Sequence, residues 1–364
     1  MQAPKRLWPV VVRPLQGELL YSWLARVAGV YDLEPIDLLR ECSDSTCLDV
    51  LVNGSDLPSL RRLSARTRVR NAKLWKMTLQ GNRAAWPERW RIGACHAFSS
   101  HVEPVLQVCP ECLKADIACE GGAQFLRIRW QSAALTICSK HRTPLQQACV
   151  VCRYPSWPVS RRGLARQFRF LCTRCGSPQD QNSWGTEPPD DCSVNLLIRF
   201  ERQIVRALAN KPVSWNWVGH AEPTEFVHLI EDLLWILPIY CRKSRPIYKL
   251  QTLAFPLGEQ CFPAPADGRW YAGPPHVRRC LLAAALAIIG SGQTRALLQG
   301  PGTHPLRWCE LVDRLDTETR VQLERRSWLW PVAAHNALRR ALLQVRDKPS
   351  MRSSRRKRRR FSTD

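Results

Sequence analysis

A chain of 364 residues with 54 Lys and Arg against 31 Asp and Glu, net +23 and pI about 9.9, is long enough for two or three compact units. A field of that sign selects a polyanionic partner, of which nucleic acid is the commonest. Hydrophobic residues make up 45% and fifteen residues are Trp, which excludes wholesale disorder, while the longest apolar run, Leu281 to Ile289, falls short of the roughly 20 residues a membrane span needs.

Sixteen cysteines and no apolar export core after the basic residues of Met1 to Arg13 point to a cytoplasmic protein with reduced thiols. Four units are expected along the chain: an N-terminal helical domain over 1–100, a tandem zinc-finger region over 101–180, a C-terminal helical domain over 193–346 and a disordered basic tail over 347–364. The fold class is mainly α with small zinc-ribbon β elements.

Residues 17–41 read as two helices around a short turn, with Leu20, Trp23, Leu24 and Val27 at helical spacing, Gly29 at the end of the first helix and Pro35 in the first turn of the second. A second helix-turn-helix silhouette covers Leu57 to Leu79, in which Leu60, Leu63, Ser64 and Thr67 line one helix and a second begins near Lys73. Its exterior is basic. With the second helix in a major groove, Asn71, Lys73 and Lys76 reach bases while Arg66, Arg68 and Arg70 sit on phosphates. The plainer alternative is that the helix pairs only pack together. Cys95, His96 and His101 follow without paired spacing, a pattern that more often means packing than a metal site.

From Cys109 to Cys175 four pairs of ligand residues follow at two-residue spacing: Cys109/Cys112, Cys138/His141, Cys149/Cys152 and Cys172/Cys175. Each pair can close a tight knuckle on one ion, and two pairs complete a tetrahedron, so eight ligands imply two structural Zn2+ ions with no open position for a catalytic water. Sequential sharing of each metal by neighbouring pairs is favoured by the seven residues between His141 and Cys149. An alternating, RING-like cross-brace stays open. Phe125 to Trp130 alternates like a strand or opens a short helix, and Arg161 to Arg169, with Arg161 and Arg162 as candidate phosphate contacts, forms a basic excursion between the last two knuckles.

Gly176 to Cys192 reads as a linker. Beyond it the pattern is helical: Ser193 to Asn210, Pro223 to Leu237 ended by Pro238, His276 to Ile289 followed by a Gly290-Ser-Gly292 turn and Gln293 to Leu298, then helices near Leu306 to Leu315, Thr317 to Trp330 and Val332 to Val345. The tail, including Arg355, Arg356, Lys357, Arg358, Arg359 and Arg360, is suited to phosphates without sequence readout.

Two segments together resemble the TniQ family of transposon target-selection proteins, which includes TnsD. The first is Arg13-Pro-Leu-Gln-Gly-Glu-Leu-Leu-Tyr-Ser-Trp-Leu-Ala-Arg-Val-Ala28; the second is Cys109-Pro-Glu-Cys-Leu113 with Asp116, Arg127, Trp130, Cys138, His141, Pro144-Leu145, Cys149 and Cys152, closed by Cys172 and Cys175. The resemblance implies an adaptor that does no phosphoryl chemistry itself. It binds DNA or docks on a CRISPR effector complex, in part of the family as a homodimer, and recruits an AAA+ regulator and a transposase. Independently, the chain lacks a Walker loop, an HExxH helix and a nucleophile elbow, which agrees with a protein that is not an enzyme. Two other readings are a stand-alone zinc-containing transcription regulator and a cross-braced ubiquitin ligase.

Overall fold

The computed structural model describes residues 7–40, 42, 54, 56–82, 90, 107–119, 122–152, 158–162, 168–172, 174–180, 191–215, 219–243, 270, 273–291, 294 and 307–346. The chain begins with an extended arm that leads into helix α1 (Leu20–Val30), and α2 (Pro35–Arg40) follows after a short turn. Helix α3 (Leu57–Thr67) starts on Asp56, whose carboxylate accepts from Ser59 N at 2.9 Å, and it ends on Arg68 in the left-handed region at φ 56°. Helix α4 (Asn71–Lys76) follows at once. Leu20, Trp23, Leu24, Val27, Leu38, Leu39, Leu60, Leu63 and Leu74 recur three and four apart on these helices and meet in a small core of their own.

Two boundaries differ from the sequence pattern. Helix α1 runs through Gly29 to Val30, and the left-handed residue that ends the turn is Asp32 at φ 57°. Gly29 lies beside the Phe168 ring, where a Cβ would make an ordinary contact at 3.5 Å. The helix expected from Lys73 begins two residues earlier, at Asn71, and stops at Lys76.

The arm and α1 are tied together by a single carboxylate. Glu18 is buried and accepts from Leu15 N at 2.9 Å, Ser22 Oγ at 3.0 Å, and both Nε and Nη2 of Arg26 at 2.8 and 2.9 Å. The strand-like segment 125–128 then docks on this corner, with Leu19 N donating to Leu126 O at 2.8 Å, Leu126 N to Ser22 Oγ at 2.9 Å, and Ile128 N to Gly17 O at 2.9 Å.

The middle of the chain is built from α5 (Pro110–Ala118), a short 3-10 turn (Ile128–Gln131), and the antiparallel hairpin β1 (Pro158–Arg162) and β2 (Phe168–Cys172), registered Pro158 to Cys172. Residues 125–130 thus supply both an extended piece and a helical turn. The described ends of the basic excursion pair in this hairpin, Arg161 with Arg169 and Arg162 with Phe168.

The remaining elements are α6 (Asp191–Leu208), a small hairpin of β3 (Val213–Trp215) and β4 (Gly219–Ala221), α7 (Pro223–Lys243), α8 (Pro275–Ile289), α9 (Trp308–Asp313), α10 (Thr317–Arg326), a 3-10 turn (Ser327–Leu329) and α11 (Val332–Arg346). Pro238 does not stop α7, which continues to Lys243; the missing N–H leaves one carbonyl a turn earlier without its helical donor, a local cost that the buried Leu233, Leu234, Ile236 and Leu237 offset by packing. Helix α8 is buried on nearly all sides, from Pro275 to Ile289 with His276 the exception, so it is the central element of this part. No helix among the described residues is long and apolar enough to cross a membrane.

One hydrophobic cluster takes side chains from Leu19, Leu113, Ile137 and Phe170 as well as from Phe200, Leu233, Leu286 and Leu338, so the ligand-bearing region and the C-terminal helices share a core. Polar ties cross the same boundary. Arg278 on α8 is fully buried and donates to Gly273 O, Ala133 O and Gln107 Oε1 at 2.9, 3.1 and 2.8 Å. Gln107 Nε2 in turn donates to the carbonyls of Trp130, Ser132 and Leu135. Glu201 on α6 accepts from Thr136 N at 2.9 Å and Thr136 Oγ1 at 2.5 Å, and Trp90 Nε1 donates to Glu231 on α7 at 2.7 Å.

Two stability effects are expected. Glu18→Ala leaves Arg26 nine-tenths buried without its anion and should lower the unfolding free energy by about 3–5 kcal/mol in urea titrations. Burial pushes the Glu201 carboxyl up to about 7 despite the hydrogen bonds from Thr136, which lower it, from an ordinary value of 4.5. Its contribution is therefore complete below pH 4.5 and is lost as pH rises through 7. Glu201→Gln keeps an acceptor for Thr136 and removes that loss, so the difference in stability between variant and parent should change by roughly 2–4 kcal/mol between pH 4.5 and 8, and a flat difference would refute this reading.

Candidate metal centres and basic face

Cys109 sits at the cap of α5, where its sulfur accepts from Cys112 N at 3.4 Å and Pro110 occupies the first helical position without any N–H to satisfy. That cap turns both sulfurs to one side. The second knuckle is a tight turn from Cys138 to Thr143, closed by Cys138 N to Thr143 O at 2.8 Å and Arg142 N to Cys138 O at 2.7 Å, with Arg142 in the left-handed region. A two-stranded bridge between Val108 and Gln146 brings the knuckles face to face.

The resulting cluster of Cys109, Cys112, Cys138 and His141 has all its ligand atoms within 4.8 Å of one another. Cys112 Sγ lies 3.7 Å from Cys138 Sγ, and His141 Nδ1 lies 3.5, 3.3 and 4.0 Å from the sulfurs of Cys109, Cys112 and Cys138. A tetrahedron with bonds of about 2.3 Å to sulfur and about 2.0 Å to nitrogen has edges of about 3.8 and 3.5 Å. The match identifies a cage sized for one ion. These sulfurs are free thiols rather than disulfides, whose bonded sulfurs lie about 2.05 Å apart.

Electrostatics give the same answer. The Cys112 thiol is pushed up by hydrogen bonding to Cys109 and Cys138, whereas hydrogen bonding to Cys109 and Cys112 pulls the Cys138 thiol down. Protons are shared unevenly among three crowded sulfurs, and a cation relieves the crowding by replacing them. The Thr143 hydroxyl stands 3.5 Å from Cys109 Sγ.

Cys149, Cys152, Cys172 and Cys175 form the second cluster, also within 4.8 Å, with Cys149 Sγ 3.5 Å from Cys175 Sγ and Cys152 Sγ 3.6 Å from Cys172 Sγ. Strand β2 delivers Cys172, and a turn through Gly176 at φ 71° brings Cys175 back, with Gly176 N donating to Cys172 O at 2.9 Å. Ser177, through its side chain and its backbone, lowers the Cys175 thiol to about 6. Neighbouring pairs share each cluster, so the arrangement is sequential and not cross-braced.

Gln124 joins the two modules. Its Nε2 donates to Leu113 O on α5 at 3.2 Å and to Asp180 at 3.0 Å, while its Oε1 accepts from Phe170 N on β2 at 2.6 Å. Arg127 grips Asp116 with two bonds of 2.7 and 3.0 Å and lies over the rings of Phe125 and Trp130. Gln124, Thr143 and Ser177 carry no spacing signal and could not have been singled out from sequence.

Arg68, Arg70, Asn71, Lys73 and Lys76 are all exposed and Arg66 is half-buried, so the α3–α4 corner is basic on its exterior. Lys73 Nζ also donates to Pro14 O at 3.2 Å, pinning the arm beside it. Arg161 and Arg162 lie on β1, which the register pairs with Arg169 and Phe168. Arg355, Arg356, Lys357, Arg358, Arg359 and Arg360 lie outside the described residues, as do Cys95, His96 and His101.

Residues 9–145 match the family model for TniQ. The chain carries a TniQ domain. That domain contains the Glu18 corner, the basic α3–α4 exterior and the whole first cluster, and it associates the chain with DNA transposition. The second cluster and helices α6 to α11 lie beyond the matched stretch of the TniQ domain. No curated protein matches the chain.

Elemental analysis of the purified chain should find metal at about two ions per molecule, with Cys112→Ser and Cys149→Ser each reducing it to about one. A content unchanged by both substitutions would show that the ions are held elsewhere.

Proposed function

We propose that this TniQ-domain protein is a non-catalytic target-selection adaptor of a DNA transposon, which binds DNA and recruits an AAA+ regulator and a transposase. The observation that carries this reading is the TniQ match over residues 9–145. The exposed basic set on α3 and α4 within that stretch supports it chemically. Arg68 and Arg70 suit phosphates, while Asn71, Lys73 and Lys76 suit base edges, Asn by a bidentate pair and Lys by donation. The net charge of +23 supplies long-range attraction to the duplex, to which Arg161, Arg162 and the basic tail from Arg355 to Arg360 add contacts without sequence information.

The ions in this reading are two Zn2+, chosen by thiolate and imidazole donors at tetrahedral spacing. Four protein ligands close each site, so the metals serve as rigid cross-links that hold the knuckles and the β-ribbon in register, and they supply no chemistry to a substrate. Sequential pairing removes the geometry on which a ubiquitin-ligase reading rests. A CRISPR effector complex is the alternative source of the target address, and a protein of this kind would then contact DNA mainly through phosphates.

Selection of bound duplexes from a random DNA pool at near-physiological salt tests the proposal, because phosphate contacts weaken steeply with salt while base contacts persist better. A reproducible consensus is expected, with Asn71→Ala relaxing it at one position at a cost of about 1–3 kcal/mol, and Arg68→Ala weakening all sequences alike and lowering the salt slope by about 1. Absence of a consensus, with only salt-labile binding, would assign the address to a partner complex. ATP hydrolysis or DNA cleavage by the chain alone would overturn the adaptor role.

A further inference from the structure

Helix α11 is two-faced. Ala334, His335, Ala337, Leu338, Ala341 and Leu342 turn into the core, and the opposite face carries Val332 at 73% exposure and Leu343 at 53%. Along that outer face Ala333, Asn336, Arg339, Arg340 and Leu343 line an open groove. The preceding 3-10 turn adds Trp328 at 71% exposure and Leu329 at 56%. Apolar groups so exposed and so close together mark a contact surface rather than scattered surface residues.

Trp328 is exposed and yet held. Its ring lies 4.4 Å from the His335 ring at 40°, and His335 Nδ1 is 2.9 Å from Ser327 Oγ, so the indole is oriented before any partner arrives and little rotamer entropy remains to be lost. Arg flanks the apolar groups. From Val321 to Arg346 the chain has five Arg and one acidic residue, Glu324. Arg326 pairs with Asp232 and Arg346 with Glu324, while Arg325, Arg339 and Arg340 have no ion-pair partner among the described residues. Exposed Trp and Arg together are the composition of binding hot spots.

We propose that this surface docks an amphipathic helix of a partner protein, whose apolar stripe covers Trp328, Val332 and Leu343 and whose carboxylates meet Arg325, Arg339 and Arg340. A second copy of this chain is a poorer occupant, since two α11 helices set face to face bring Arg339 and Arg340 against the same arginines. Duplex DNA is poorer too, because phosphates answer the arginines but leave the Trp328 and Val332 side chains in contact with polar backbone. The groove therefore takes the helix-in-groove mode, with charge choosing the partner.

Fluorescence anisotropy on the full chain tests this with a labelled peptide of about five helical turns, carrying Leu along one face and Glu beside it. The controls are a scramble of the same composition, a version with Lys for Glu, and a duplex. The acidic amphipathic peptide should bind, and Val332→Asp and, separately, the charge reversal Arg339→Glu with Arg340→Glu should each weaken it roughly tenfold or more. Thermal unfolding and metal content should stay unchanged, because all three residues are exposed. Equal binding of the scramble, binding of the Lys version, or indifference to both sets of substitutions would overturn the proposal. Displacement of the peptide by the duplex would hand the surface to nucleic acid, and a self-association abolished by Val332→Asp would hand it to a second copy.

Discussion

The Glu18 carboxylate is the constraint on which the N-terminal half depends. A buried anion must be compensated, and here the compensation comes from three directions: the guanidinium of Arg26 two turns further along, the Ser22 hydroxyl, and the backbone of the arm at Leu15. Because Ser22 Oγ also accepts from Leu126 N, the same network fixes where the chain leading into the first cluster lies. Position and charge are settled together. The arm is then free to run along α1, where Val12 O accepts from Trp23 Nε1 at 2.8 Å and Arg13 O from Arg26 at 2.8 Å.

Two clusters able to hold an ion and a hydrophobic core lie side by side in the middle of the chain. The knuckles are short turns closed by backbone bonds, and an ion held by their ligands would add cross-links between them. Packing takes over where α5, Phe168 and Phe170 meet the helical core, with the two rings edge to face at 5.3 Å. Gln124 is the hinge pin between the modules, a neutral residue able to donate twice and accept once without bringing a charge into a crowded thiolate environment.

The C-terminal helices contribute more than bulk. Arg278 reaches out of the most buried helix to collect Ala133 O and the Gln107 side chain, which organises the carbonyls of the loop that precedes the second knuckle. A shared core with buried polar ties is stiffer than two units on a linker. The basic α3–α4 corner and the apolar, arginine-flanked α11 face lie on the two parts so joined.

Sequence alone determined what depends on local spacing. Eight ligands in two-residue pairs dictate the clusters, because a metal cares only for donor type and reach; the apolar repeats of Leu20 to Val27 and of Leu196 to Leu208 dictate helices, because one face must leave water. The resemblance to TniQ was legible for the same reason, since it is carried by the contiguous run Arg13 to Ala28 and by the spaced ligand residues from Cys109 onward. Only tertiary structure decided which pairs share a cluster, that α7 continues past Pro238, that α1 runs on through Gly29, and that Arg278 and Glu201 are buried. Those outcomes depend on which surfaces meet across a hundred or more residues, as Arg278 meets Ala133 and Trp90 meets Glu231, and no periodicity in the chain encodes such a meeting.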